Sequence, residues 1–297
     1  MRLRKVGEDQ LLAQLFPAKR RRSRSVIRGV GDDCAVVEST ARGNCLLLKT
    51  DCLVEGIHFT ARTPAVAVGW KAMARPLSDF AAMSGVPRFA LVTLIIPGSR
   101  TLEWAKELYQ GLKKAAKPFE VEIVGGETSA TKGPIVLSVS IAGFVENTRW
   151  VGRGGGKPGD DLFVTGRLGG SIRGKHLRFV PRIVESRWLT DNFSIHAMMD
   201  LSDGLGTDLP RLARSSGVGF EVKKTTIPRN RGCSVSRALS DGEDYELLFA
   251  ISPDQSGRLV KQWRKKFPRL PLTRIGRLKV RFETRGSKLP SGYVHFK

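Results

Sequence analysis

Cysteine is scarce in this 297-residue chain. The four present, Cys34, Cys45, Cys52 and Cys233, form no CxxC pair and are too few for a disulfide framework, which fits a reducing cytoplasm. No apolar run approaches the ~18 residues that cross a bilayer, so a membrane protein is not expected. The start is basic, but Gly7, Glu8, Asp9 and Gln10 stand where a secretory signal needs its apolar stretch. No GKS or GKT occurs, which excludes a Walker A loop, and Gly152 to Gly159 precedes a strand where a dinucleotide fingerprint should follow one. Acid is also short: 28 Asp and Glu stand against 50 Lys and Arg, giving a formal charge of +22. Such a field attracts polyanions. The basic residues are nevertheless spread along the chain, clustering only at Lys19–Arg24 and Arg264–Lys266, and no aromatic-studded RNP, zinc-finger or basic-zipper pattern accompanies them. Specific nucleic-acid binding is therefore not expected. With 41% hydrophobic and 26% charged residues, the remainder is ordinary globular composition.

The few acids are not scattered. Thirteen of the 28 fall in six stretches: Asp32-Asp33, Asp51 to Glu55, Asp79, Glu127, Asp200 to Asp208, and Asp241 to Glu246. Most sit beside glycine, as in Gly31-Asp32-Asp33, Gly125-Gly126-Glu127-Thr128, Ser202-Asp203-Gly204 and Gly242-Glu243-Asp244. Hard divalent cations need oxygen ligands and close backbone approach, which carboxylates on glycine turns supply. Any one of these stretches would also serve as a cap or an Asx-turn. All six doing only that, in a chain so poor in acid, is a weaker explanation than a shared cation site.

The periodicity alternates between the two regular elements. Residues 45–50 read as a buried strand ending at Asp51, and 66–84 carry helical spacing that Pro76 should kink or split. Residues 89–96 read as a strand closed by Pro97-Gly98, and Thr101 as the N-cap of a helix with an apolar stripe at Leu102, Ala105, Leu108, Leu112 and Ala115. Strands at 121–124 and 134–145 flank a Gly125-Gly126 turn. The Gly/Pro-rich stretch near 146–160 marks a boundary. After it come a strand at 162–165, a glycine loop, a helix from Asp203 to about Ser215, a strand at 245–251, a basic helix at 254–266 and a last strand at 272–278. Two α/β domains of similar size follow, residues 1–147 and 148–297.

The series GDDCAVV, TDCLVEGIHF, GWKAMARPLSDFAAMSG, VGGET, GRGGGKPGDDLFVTGRLGGS, MDLSDGLGTDL and GEDYELLF runs in order from about residue 29 to 251. It resembles the thiamine-monophosphate kinases, within the superfamily of aminoimidazole ribonucleotide synthetase, selenophosphate synthetase and the hydrogenase-maturation dehydratase. TDxLVEGxHF and GEDYEL separate the kinase from its cousins. The resemblance implies mixed α/β sheets in an aminoimidazole-ribonucleotide-synthetase-like architecture. An N-terminal sheet-and-helix domain would bind metal and ATP and pair into a homodimer through its sheet, and a C-terminal α/β domain would follow. It implies transfer of the γ-phosphoryl of ATP to thiamine monophosphate, giving thiamine diphosphate and ADP, with several Mg²⁺ ions and K⁺ as a candidate further cation. The family's metal positions fall on Asp33, Thr50, Asp51, Asp79, Glu127, Asp200 and Asp203. Nucleotide positions fall on Gly126, Glu127, Arg153 and Ser202, and thiamine positions on His58, Glu243 and Phe296.

The chemistry agrees, because phosphoryl transfer requires positioning and charge neutralisation more than covalent help. An already ionised acceptor phosphate needs no strong base, so no Ser-His-Asp or Cys-His arrangement is expected and no residue is assigned as a catalytic nucleophile. Three departures stand out: Pro76 where the family shows Asn, Glu127 where it shows Asp, and a short segment between Gly170 and Asp200. Two alternatives compete with the kinase. One is another ATP-dependent synthetase of the superfamily. Selenophosphate synthetase would need a reactive N-terminal Cys or Sec near a Lys, and the first cysteine here is Cys34. The hydrogenase dehydratase would need a C-terminal Cys, and this sequence ends His-Phe-Lys. A non-enzymatic RNA- or polyphosphate-binding protein would bind through its charge and lose affinity steeply with salt.

Overall fold

The computed structural model describes residues 8–17, 23–280 and 289–292. A short helix, α1 (Glu8–Leu15), precedes a sheet formed by β1 (Val26–Arg28), β2 (Ala35–Glu38), β3 (Asn44–Val54), β4 (Val86–Pro97), β5 (Glu122–Thr131) and β6 (Val136–Glu146). Their order across the sheet is β1-β2-β3-β6-β4-β5. Only the β4–β5 pair is parallel. Along β6 burial alternates residue by residue, as expected of a sheet with one face on the core and one open. Two helices cover the core face, α2 (Ala65–Ala82) and α3 (Leu102–Ala116). They cross with backbones almost touching: a Cβ on Gly69 would strike the Leu108 carbonyl, and one on Gly111 the Val66 carbonyl. The open face keeps Leu48, Phe89, Leu91, Val124 and Phe144 exposed.

The second sheet contains β7 (Asp161–Thr165), β8 (Ile195–Asp200), β9 (Gly219–Val222), β10 (Leu247–Ile251) and β11 (Leu272–Lys279), in the antiparallel order β8-β10-β7-β11-β9. Its central strands β7 and β10 are buried at every residue, because both faces are covered. On one face Leu162, Val164 and Leu248 pack against α5 (Leu205–Ser215) and α6 (Val235–Ser240). On the other, Phe163, Met198 and Phe249 join a core shared with the first sheet, α2, α4 (Ile183–Asn192) and α7 (Pro253–Lys266). α2 thus lies between the two sheets. At the rim of this junction Arg187 of α4 makes two 2.7 Å bonds to Glu146 at the end of β6, and donates to the Ser84 carbonyl at 2.9 Å.

Thr101 caps α3 as expected, accepting from the Trp104 N–H at 3.2 Å. Four expectations need correction. β3 does not end at Asp51 but continues to Val54, pairing with β6 along its whole length. Pro76 does not split α2, which remains one helix from Ala65 to Ala82. Proline removes one donor to the preceding turn, and the packing of a helix buried at most positions outweighs that single loss. Gly125-Gly126 is not a turn. β5 continues through it beside β4 after a bulge at Val124, with Leu91 opposite Gly125 and Thr93 opposite Glu127, and glycine is needed at 126 because a Cβ there would meet the Val92 carbonyl. Finally, α5 and β10 each start two residues later than read, at Leu205 and Leu247, because the carboxylate-bearing loops ahead of them are longer.

Candidate active site

α2 carries a polar stripe through an otherwise apolar helix. Lys71, Arg75, Ser78 and Asp79 follow the i, i+4, i+7, i+8 spacing that puts side chains on one face, and the packing of α2 turns that face into a cleft of about 1020 Å³ between the two sheets. Asp33 reaches the same place from the loop before β2, and Asp200 from the end of β8. One carboxylate oxygen from each of Asp33, Asp79 and Asp200 lies within 4.8 Å of the others. All three residues are buried.

Concentrating acid away from water raises its pKa, and neighbouring carboxylates raise it further. Burial first, then the charge of Asp33, pushes Asp200 up to about 7, although Ser78 donates to it at 2.6 Å. Burial, then Asp51, Asp200 and Asp33, hold Asp79 well above the carboxylate range against the opposing pull of Lys49. Asp32 is pushed to about 6 by burial and by Asp33. Asp51 goes the other way: burial lifts it, but Lys49 and Arg75 more than offset that and hold it below its ordinary value. Lys49 is the shared counter-ion, with Nζ 2.9 Å from Asp79 and 3.9 Å from Asp51.

The cluster has the chemistry of a divalent-cation site. Its donors are hard carboxylate oxygens, and Asp33 Oδ2 is buried without any hydrogen-bond partner. A buried, unpartnered charged oxygen is costly unless a cation meets it. The other Asp33 oxygen accepts from the Arg153 guanidinium, Nε at 3.1 Å, while the Arg153 N–H donates to Asp32 at 2.9 Å. Magnesium or a similar ion fits these residues.

The far wall is the Asp200–Asp203 loop packed on the Gly242–Glu246 turn. Ser202 and Leu201 carbonyls accept from the Glu243 and Tyr245 N–H groups at 2.6 and 2.8 Å. Both Glu243 and Tyr245 are left-handed, at φ 53° and 51°, a conformation costing roughly 1–2 kcal/mol per residue and held here by those bonds. Lys71, fully buried, places Nζ 2.6 Å from Glu243 Oε1 and 2.8 Å from the His58 carbonyl. The Val54 N–H donates to His58 Nδ1 at 3.0 Å, so neutral His58 carries its proton on Nε2. Asp203 pairs with Arg211, and its N–H donates to Asp208 at 3.0 Å.

Of the residues singled out from sequence, Asp33, Asp79 and Asp200 form the cluster, and Asp51, Asp203, Arg153, Ser202 and His58 line the same cleft. Glu243 adjoins through Lys71. Thr50 also borders the cleft, but adjacent strand residues point oppositely, and its hydroxyl meets Ser140 and Ser138 at 2.9 and 3.3 Å on the open face. Gly126 and Glu127 are farther still. β6 and β4 separate β5 from β3, roughly 14 Å at ordinary strand spacing. Phe296 lies outside the described residues. Sequence reading overlooked Lys49, Lys71, Arg75 and Arg211. The stripe on α2 was the available signal for two of them, and the shared parity of residues 49 and 51 for the first.

Known proteins converge on this architecture. Residues 31–145 match the family "AIR synthase related protein, N-terminal domain", and residues 149–285 the corresponding C-terminal domain. A thiamine-monophosphate kinase of Rhodopirellula baltica is 35% identical over 97% of each chain. One from Aquifex aeolicus is 33% identical over 100% of both. Among solved structures, AaThiL complexed with AMPPCP and TMP superposes with a TM-score of 0.81 at 32% identity, covering 94% of this chain and 93% of that one.

Proposed function

The chain belongs to the thiamine-monophosphate kinase family, and from that premise we propose that it moves the γ-phosphoryl group of ATP onto the phosphate of thiamine monophosphate, giving thiamine diphosphate and ADP. The observation that carries this reading is the orphaned oxygen of Asp33 inside a buried three-aspartate cluster. Phosphate-to-phosphate transfer brings two anions together, so its main requirement is charge neutralisation at fixed positions. Asp33, Asp51, Asp79, Asp200 and Asp203 would hold Mg²⁺, which when bound would screen the repulsion between the two phosphate groups.

The chain's own residues do the rest. Arg153, its guanidinium held by Asp33 and its backbone by Asp32, presents a fixed cation to the nucleotide phosphates. Ser202 borders the same space. On the acceptor side, Lys71 locks Glu243 and the His58 loop to one another, so a carboxylate and an imidazole N–H face one ligand from fixed positions. Glu243 can accept from the aminopyrimidine or pair with the thiazolium, and Nε2 of His58 donates. No side chain need take a proton, because the attacking phosphate oxygen is already ionised. The N-terminal domain, residues 1–147, would supply most of the metal site, and residues 148–297 the wall that carries Asp200 and Glu243.

Thr50 borders the cleft within one chain, whereas Glu127 enters this scheme only in a homodimer. β5, which carries Glu127, lies at the edge of the open sheet face, whose exposed leucines and phenylalanines suit a second copy. A two-fold axis along the strands would lay β3 of one subunit over β5 of the other. Potassium has no assigned place here, and a cytoplasmic setting rests on the free cysteines; among the described residues no helix is long and apolar enough to cross a membrane.

The test is incubation of purified protein with ATP, Mg²⁺ and thiamine monophosphate, followed by chromatography. Thiamine diphosphate should appear in step with ADP. ADP release without it, or product formed equally well with EDTA present, would refute the reading.

A further inference from the structure

We propose that Lys49 stands in for one divalent ion: its ammonium fills a cation position between Asp79 and Asp51, so the cluster binds one ion fewer than its carboxylates could otherwise hold. This rests on the metal reading of the cluster given above.

The placement follows from the strand. Residues 49 and 51 share a parity on β3, so Lys49 projects to the same face as Asp51 and meets α2 where Asp79 leaves it. Its Nζ is 2.9 Å from Asp79 and 3.9 Å from Asp51, and the side chain is mostly enclosed at 22% exposure. This is an internal group pinned to two of the proposed ligands. Ammonium and magnesium demand different surroundings. The former donates to oxygens at about 2.8 Å, while the latter needs six oxygens at about 2.0–2.1 Å. One pair of carboxylate oxygens cannot serve both at once. Lysine also supplies no ligand oxygen and brings a positive charge of its own.

The pattern around it is consistent. Arg153 balances Asp33 and Arg211 balances Asp203 at the rim. Those guanidiniums are forked and each pairs with one of the proposed ligands, whereas Lys49 bridges two, Asp79 of the cluster and Asp51 beside it. Arg75 also approaches Asp51, at 3.8 Å, but among these four cations Lys49 alone pairs with two of the proposed ligands. The ammonium offsets part of the like-charge repulsion among Asp33, Asp51, Asp79 and Asp200 when no metal is present, and it lowers the demand for metal when substrates arrive.

The experiment counts ions. Mn²⁺ bound per chain is measured by equilibrium dialysis and electron paramagnetic resonance, with saturating AMPPCP, for the wild type, Lys49→Ser, Lys49→Met and Lys49→Arg. Lys49→Ser should bind one more Mn²⁺ than the wild type, and Lys49→Arg the same number. Equal stoichiometry in the wild type and Lys49→Ser overturns the proposal while leaving the metal site intact. A wild type that binds no Mn²⁺ removes both readings. Thermal melting without nucleotide gives a second readout should Lys49→Ser fold poorly. Lys49→Met should melt earlier than the wild type in EDTA and gain more from added Mg²⁺. An equal Mg²⁺ shift in both proteins would mean that Lys49 only packs, and would likewise overturn the assignment.

Discussion

Lys71 Nζ and Glu243 Oε1 lie 2.6 Å apart, and the lysine is wholly enclosed while the glutamate is a quarter exposed. The pair joins the middle of α2 to a left-handed turn in the other half of the chain. Burial pulls the Lys71 pKa down, and the Glu243 carboxylate partly restores it. Glu243 is therefore fixed by Lys71 at the Tyr245 edge of the cleft.

Glu243→Gln should raise KM for thiamine monophosphate about ten- to hundredfold, the equivalent of roughly 1.5–3 kcal/mol for a lost charge-assisted contact, and leave ATP affinity nearly unchanged. The glutamine carbonyl can still accept from Lys71, so the fold should survive. Calorimetric titration of both ligands checks this. Equal weakening of the two would show that the turn as a whole has moved.

Asp79→Asn should lower kcat by about 10²–10³, the usual effect of removing one preorganised electrostatic partner. The thermal midpoint of the metal-free protein should not fall, because the substitution removes a buried charge that Asp51, Asp200 and Asp33 repel, while Asn can still accept from Lys49. Near wild-type turnover at saturating Mg²⁺ would exclude Asp79 from the metal site.

Glu127→Asp should leave stability unchanged, since the residue is exposed on an edge strand, and keep kcat/KM within about threefold of the wild type or raise it. The shorter acid is the one the family shows at this position, and magnesium is strict about ligand reach. A tenfold drop would mean that β5 is built around the longer side chain.

Arg187 holds the Glu146 carboxyl down to about 2, mainly by direct hydrogen bonding. A depressed carboxyl pKa adds stability above its ordinary value of 4.5, and that contribution disappears as pH falls from there toward 2. Urea unfolding between pH 5 and 2.5 should therefore lose stability more steeply for the wild type than for Arg187→Met. Parallel curves would show that the bridge between the two halves adds nothing to folding.

Leu91→Glu should convert a dimer to a monomer in sedimentation velocity with unchanged far-ultraviolet dichroism. Leu91 stands half-exposed on the open sheet face, where a charge opposes close apposition of two copies. An unchanged sedimentation coefficient would place the dimer contact elsewhere.

Much of this site was readable in the sequence, because glycine beside aspartate marks both a turn and a ligand. Asp33 and Asp203 follow from that association, whereas Asp79, inside a helix, and Asp200, at a strand end, were carried by the resemblance. Thr50 and Asp51 show what residue type alone leaves open: neighbours on a strand face opposite ways, so the Thr50 hydroxyl turns from the Asp51 carboxylate although both residues border the cleft. Gly125-Gly126 failed for a different reason. Glycine reports close backbone approach as readily as a turn, and here the approach is to β4. Lys49 and Lys71 went unread because a lysine in a basic chain attracts no notice, and their burial depends on contacts between residues far apart in sequence.

The contact between Gly69 and the α3 backbone has a consequence for how this chain can change in length. That contact fixes α2 as a ruler, and Lys71, Arg75, Ser78 and Asp79 are its graduations. One residue inserted between Gly69 and Lys71 would turn all four by about 100°. The acid would swing toward apolar packing, and the two cations would leave Asp51 and Glu243 together. Insertions and deletions should therefore accumulate in the loops before Ala65 and after Ala82, while α2 itself keeps its residue count.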